Sequence, residues 1–137
     1  LREVENQVVS EDSIKKYLND VLLCIKLSNY RIDNNNRQKN RAFQRTYSIT
    51  NEDYIDLINM LSPTNFSTST RNYKHGFQNE ILYIFKLETQ LFNSVTFEYD
   101  HVTLYIKTNL IEKPILFCIF ISIHIADPQK EFNYYNY

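Results

Sequence analysis

Three histidines, two cysteines and a scatter of lysines, arginines and tyrosines are the side chains from which this sequence could build chemistry. His75, His101, His124, Cys24 and Cys118 show none of the close pairwise spacings that a zinc site uses, so no metal or other cofactor is expected. A single glycine excludes a Gly-rich phosphate loop. No nucleophile elbow or catalytic-triad signature is visible. What remains is His124, at the end of an apolar segment where strand parity points it with Ser122. Tyr105 and Lys107 share one face of the segment before it. Histidine titrates near neutral pH and can take or give a proton, while lysine offers a cation to a phosphate. RNA cleavage without a metal needs such groups: a base for the ribose 2′-OH, cations for the developing phosphate charge, and an acid for the leaving 5′ oxygen. A plainer structural reading stands beside this one. A strand-end histidine is often held by a backbone carbonyl, and lysine and tyrosine often sit on the solvated face of a half-buried sheet.

The charge pattern bears on the same question. The formal net charge is −1, but Arg31, Arg37, Lys39, Arg41 and Arg45 are opposed only by Asp33 between Ser28 and Thr50. Arg71, Lys74 and His75 follow in a stretch with no acid. The acids gather at Glu3, Glu5, Glu11 and Asp12, and again at Glu52, Asp53 and Asp56. A polyanion would meet one favourable face and not a uniformly basic protein. The alternative is an ordinary solvated surface, with Arg71, Lys74 and His75 in a mobile loop.

The elements that must position these groups are legible as periodicities. Ile14, Tyr17, Leu18, Val21, Leu22 and Ile25 fall at helical spacing, which predicts a helix over 13–27 with Ser10 as its N-cap. A shorter helix over 38–47 should bury Ala42, Phe43 and Tyr47. Thr50 and Asp53 form a capping box inside an Ile49–Tyr54 hydrophobic staple, opening a helix over 51–61 that Pro63 stops. Ser62–Pro63 can start one further short turn of helix. A polar loop through Gly76 then gives way to strand alternation over 81–92, 102–108 and 115–125, with turns expected at Asn93–Ser94, Asp100–His101 and Pro114. In the last strand Ile115, Phe117, Ile119, Ile121, Ile123 and Ile125 should share one face, opposite Leu116, Cys118, Phe120, Ser122 and His124. Being apolar on both sides, that strand should lie centrally in the sheet. Helices followed by consecutive antiparallel strands predict an α+β fold, with N-terminal helices on one face of a C-terminal antiparallel sheet and the other face left for a ligand.

With 137 residues, 43% of them hydrophobic and 23% charged, the chain fits one domain with a real core. That domain should span 1–126, with the Tyr-rich tail 127–137 either docked on the sheet or disordered. Both cysteines lie in apolar runs and read as reduced and buried. No cationic segment followed by an apolar one opens the chain, and the apolar stretch 115–126 is far short of the ~20 residues of a membrane span. A cytoplasmic protein without a membrane partner is the expectation.

Several short motifs in this order resemble the MqsR family of type II toxin–antitoxin toxins. They are Leu61-Ser62…Phe66, Phe77-Gln78-Asn79, Leu104-Tyr105-Ile106-Lys107 and Ile121-Ser122-Ile123-His124. The run Arg37-x-Lys39-Asn40-Arg41-x-Phe43 is similar to a segment of some relatives. The resemblance covers roughly residues 30–126 and implies a RelE-like fold, metal-independent cleavage of mRNA, and a cognate antitoxin protein as partner. It also implies that Gln78 and Tyr105 match an active-site glutamine and tyrosine, with His124 in the place of a terminal lysine. Two departures stand out: Thr68 occupies the position of an expected lysine, and an insertion over about 88–101 separates the Gln and Tyr motifs. On this reading His124, Lys107, Tyr105 and Gln78 form the catalytic set. Arg71, Lys74, Arg37, Lys39, Arg41 and Arg45 bind RNA. The alternatives are a protein-interaction module of a mobile element and an RNA-binding module without catalysis.

Overall fold

A computed structural model describes residues 9–34, 37–72, 76 and 80–128. The chain is α+β, with its helices in the first half and most of its sheet in the second. Helix α1 (Glu11–Lys26) opens on the predicted cap, two residues ahead of the expected start. The Ser10 hydroxyl accepts from the Ser13 amide, Glu11 and Asp12 face the positive end of the helix dipole, and Ile14, Tyr17, Leu18, Val21 and Cys24 are buried. Strand β1 (Tyr30–Ile32) follows, then helix α2 (Gln38–Thr46), which buries Phe43. Ala42, expected in the core, is exposed on the outer side of that helix, and Tyr47 is half-buried. Helix α3 (Asn51–Asn59) opens on the predicted capping box, in which Thr50 and Asp53 exchange hydrogen bonds at 2.9 and 3.1 Å. Both staple residues, Ile49 and Tyr54, are buried. A 3-10 turn follows over Pro63–Asn65.

The exits of α1 and α2 share one device. Ser28 and Ser48 adopt positive φ (59° and 48°) just past α1 and α2. The amides of Ser28 and Asn29 return to the carbonyls of Ile25 and Cys24, and those of Ser48 and Ile49 to Arg45 and Gln44. Each is a Schellman closure, built on serine where glycine is usual.

Strands β2 (Phe66–Arg71), β3 (Ile81–Asn93), β4 (Glu98–Ile111) and β5 (Phe117–Ile125) complete a five-stranded sheet of order β1-β5-β4-β3-β2. Three features correct the expected sheet. β1 adds a parallel strand at its edge, pairing Tyr30–Ile32 with Cys118–Phe120. β2 forms where a polar loop was expected, because Thr and Ser pair along β3 without needing apolar alternation. The expected break at Asp100–His101 does not occur: β4 runs unbroken against β3 from the Asn93–Glu98 pair to Leu82–Asn109. The central strand is β4, and among the described residues β5 is flanked on its outer side by the three-residue strand β1.

The helices pack on one face of the sheet. Phe85, Leu87, Val102, Leu104, Ile106, Phe120 and Ile123 join the residues of α1 and α3 in the main core. Tyr17 stacks on Tyr83 with centroids 3.8 Å apart, and its hydroxyl meets the Thr108 hydroxyl at 2.7 Å. Desolvation is the main cause that holds the Tyr17 hydroxyl pKa well above its usual value. Cys24 and Cys118 are both free and buried, as expected, and burial pushes the thiol pKa of each upward. Among the described residues, no helix is long and apolar enough to cross a membrane.

Candidate functional site

The position of His124 depends on an irregularity in β5. Lys107 pairs with Ser122 but Thr108 pairs with Phe120, so Ile121 is an extra residue in the strand. A bulge of this kind reverses the side-chain parity that simple alternation predicts. Before it, Cys118 and Phe120 face the helices while Ile119 faces the second side with Leu82. After it, Ile123 enters the main core, and Ser122 and His124 pair with Lys107 and Tyr105 on the second face. The expectation that all six of the strand's odd-numbered residues would share one side is therefore overturned. His124 shares its side with Ser122, as predicted, but also with Ile119 and Ile121.

Asn40 holds this irregularity in place from α2. Its side-chain amide donates to the carbonyls of Asp33 (2.7 Å) and Ile121 (2.9 Å), and its oxygen accepts from the Ile123 amide (3.0 Å). One buried carboxamide thus supplies the edge of β5 with the bonds that a neighbouring strand would have made. It also sets α2 beside the residue that precedes His124.

Tyr105 and His124 lie directly opposite one another, their rings stacked with centroids 5.4 Å apart and planes 20° apart. The Lys107 Nζ is 5.9 Å from the Tyr105 ring centroid, a cation–π arrangement. His124 Nδ1 is 2.8 Å from the Ile125 carbonyl oxygen. Because a carbonyl only accepts, Nδ1 carries the proton, and Nε2 is the basic nitrogen of the neutral ring. Three of the predicted residues are therefore gathered on one face.

The cluster differs from the expected site in three respects. Tyr105 and His124 are each only 5% exposed, so this face is not the solvated surface that was predicted. Arg71 pairs with Ile81 at the start of β3, and its register puts it on the helix side with Tyr83, away from the face that carries Tyr105. The cation that does join the row is Lys86, which pairs directly with Tyr105 and went unrecognised in the sequence. Its signal was the alternation of β3, in which the even-numbered residues face away from the helices. Gln78 and Lys74 lie outside the described residues. Thr68, where the resemblance led to the expectation of a lysine, is buried and pairs with Ile84 in the row that Lys107 and Ser122 continue.

Of the basic segment, Arg37, Lys39 and Arg45 are exposed on α2, while Arg41 donates to the Asn34 carbonyl at 3.0 Å. A cleft of about 410 Å³ opens between β1, α2 and α3, lined by Tyr30, Arg31, Asn34, Gln44 and Tyr54 among others. It does not contain the His124 cluster. Among the described residues, no three of His, Cys, Asp and Glu gather as a metal-binding group. No protein-family model, curated protein or solved structure matches the chain.

Proposed function

We propose that this protein is a metal-independent RNA endonuclease of the toxin–antitoxin kind, acting by attack of a ribose 2′-OH on the adjacent phosphate. The observation that carries the reading is the stacked His124–Tyr105 pair with Lys86 and Lys107 beside it on one sheet face. In this mechanism His124 Nε2 takes the 2′-OH proton. The 2′ oxygen bonds to phosphorus, the bond from phosphorus to the 5′ oxygen breaks, and the leaving oxygen receives a proton from His124 or water. Lys86 and Lys107 are only half-buried, so an approaching phosphate meets their ammonium groups before the rings, and they offset its developing charge. Asn40 sets α2 at the neighbouring edge of β5, and the exposed cations of this segment bind the backbone without reading its sequence.

One observation favours a second reading, RNA binding without cleavage. Both rings are buried, and the Ile125 carbonyl holds His124 as it would a structural histidine. A single assay separates the two. With labelled RNA and EDTA present, the full chain should produce 2′,3′-cyclic phosphate and 5′-hydroxyl ends. His124→Gln should lower the rate by about 10²–10⁴-fold, and Lys86→Gln or Lys107→Gln by less. Unchanged cleavage in His124→Gln would remove the catalytic role. RNA binding with no cleavage by the wild type would establish the second reading. In a bacterial host, induction should arrest growth, and an antitoxin encoded beside the gene should relieve the arrest.

A further inference from the structure

The β3–β4 hairpin runs past the rest of the sheet. β2 pairs with β3 only as far as Phe85, and β5 pairs with β4 only from Leu104 onward, so residues 88–103 form a two-stranded arm. On the side of the arm turned away from the helices, Phe92 pairs with Tyr99, their ring centroids 5.2 Å apart, and Phe97 packs on Phe92 at 6.3 Å. These rings are 42%, 68% and 76% exposed, and Val95 at the tip is 71% exposed. Scattered exposed apolar residues need no explanation, but a contiguous aromatic patch on a projecting arm does.

The patch is rigidly presented. The Asn93 side chain accepts from the Val95 and Thr96 amides, and its carbonyl accepts from the Phe97 amide. Asp100 accepts from both the Tyr47 hydroxyl (2.7 Å) and the Asn93 amide (2.9 Å), tying the arm to the end of α2. The Ser94 amide donates to the Thr46 carbonyl, and the Ser48 and Ser94 hydroxyls meet at 2.6 Å. Phe97 sits at φ 61°, a conformation in which glycine or asparagine is the less strained choice. A turn needing only to close would be easier to build without an aromatic ring there.

Charge decides what the patch can hold. Between Leu87 and Ile106 the chain carries Glu88, Glu98 and Asp100 and no lysine or arginine. This excess of acid along the two strands disfavours a polyanion on the arm. We infer that the hairpin arm is a docking surface for a partner protein through a segment that combines apolar side chains with arginine or lysine. The apolar groups would cover Val95 and Phe97, and the cations would lie over the aromatic faces and beside Glu88, the carboxylate that shares their side of the arm. Preorganisation of the arm lowers the ordering cost of such a contact. The inference stands independently of the RNA reading.

The test uses the full chain, isotope-labelled, titrated with three probes: a 15-residue leucine–arginine amphipathic peptide, the same peptide with glutamate for arginine, and an oligouridylate. The arginine peptide should shift the amide signals of Phe92 and of residues 95–99, and the other two probes should leave these unmoved. Phe97→Gly, which removes the ring and suits the positive φ, should retain the fold and bind at least tenfold more weakly. Glu88→Gln should flatten the salt dependence. Equal binding by Phe97→Gly, shifts centred elsewhere, or binding of either other probe at the arm would overturn the proposal. So would a concentration-dependent dimer that Phe97→Gly dissolves, since the occupant would then be a second copy of this chain.

Discussion

On the helix-packed side of the sheet, Phe85, Leu104, Ile106, Phe120 and Ile123 are at most 1% exposed, buried by apolar contact with the helices. The opposite side is buried nearly as deeply, but with Tyr105, His124, Ser122, Thr68, Thr70 and Asn109 among its side chains. Its apolar cluster is small, comprising Leu82, Ile119 and Ile121 with Ile111 and Phe117 at its margin. Thr70 Oγ1 and Asn109 Oδ1 are buried there without a hydrogen-bond partner among the described residues. Unsatisfied buried acceptors cost free energy that an apolar face would avoid. A sheet can therefore be anchored by one conventional face while the other carries polar groups that stability alone would not select. Local departures from the consistent pattern are where function is best sought.

That contrast can be tested by truncation. Ile106→Ala, at a residue with no exposure, should destabilise the fold by about 2–5 kcal/mol in denaturant unfolding, through lost transfer energy and the cavity left behind. Ile121→Ala, at 9% exposure in the smaller cluster, should fall at or below the low end of that range. Equal losses at the two sites would mean that the two faces are equivalent cores.

A smaller effect is expected at the site itself. The depth of His124 implies that His124→Ala costs about 1–3 kcal/mol, the range for removing a buried hydrogen-bonded group. A solvated histidine would stay within about ±0.5 kcal/mol. Unfolding of this variant consequently reads burial of the second face independently of any cleavage assay. A value inside the surface range would return that face to solvent.

The smallest expected effect concerns the arm that carries both faces outward, and it is a matter of pH. Hydrogen bonds from Asn93 and then Tyr47 hold the Asp100 carboxyl below its usual 3.8. A depressed carboxylate pKa contributes stability that is present above the unfolded value and lost as pH falls through the folded one. Tyr47 moves the other way: burial, and then its bond to Asp100, push its hydroxyl up to about 12. That contribution is complete below pH 10 and is lost as pH rises through about 12. Hydrogen exchange of the arm should accordingly be slowest between roughly pH 4 and 10, after correction for intrinsic rates. Faster exchange below that window in the wild type, and its absence in Asp100→Asn, would attribute the anchorage to this carboxylate. A pH-independent arm would assign it to the serine contacts instead.

The sequence by itself determined the elements whose signals are local. The Ser10 cap, the Thr50–Asp53 box, the apolar period of α1 and the alternation of β3 and β4 are properties of neighbouring residues, and each appears where its chemistry requires. β1 and β2 were not legible in the same way. Three residues of β1 acquire strand character only by pairing with β5, and the Ser/Thr run of β2 only by lying along β3. The helix exits at Ser28 and Ser48 lacked the glycine that usually marks them. For the candidate site, parity alone joined Tyr105 to Lys107. Only the tertiary structure decided that Lys86 belongs with them, that Arg71 faces the helices, and that His124 is buried. The physical reason lies in one extra residue. A bulge at Ile121, bonded from outside by Asn40, changes which side of β5 faces the helices, and no periodicity along the chain encodes a bond between residues 81 positions apart.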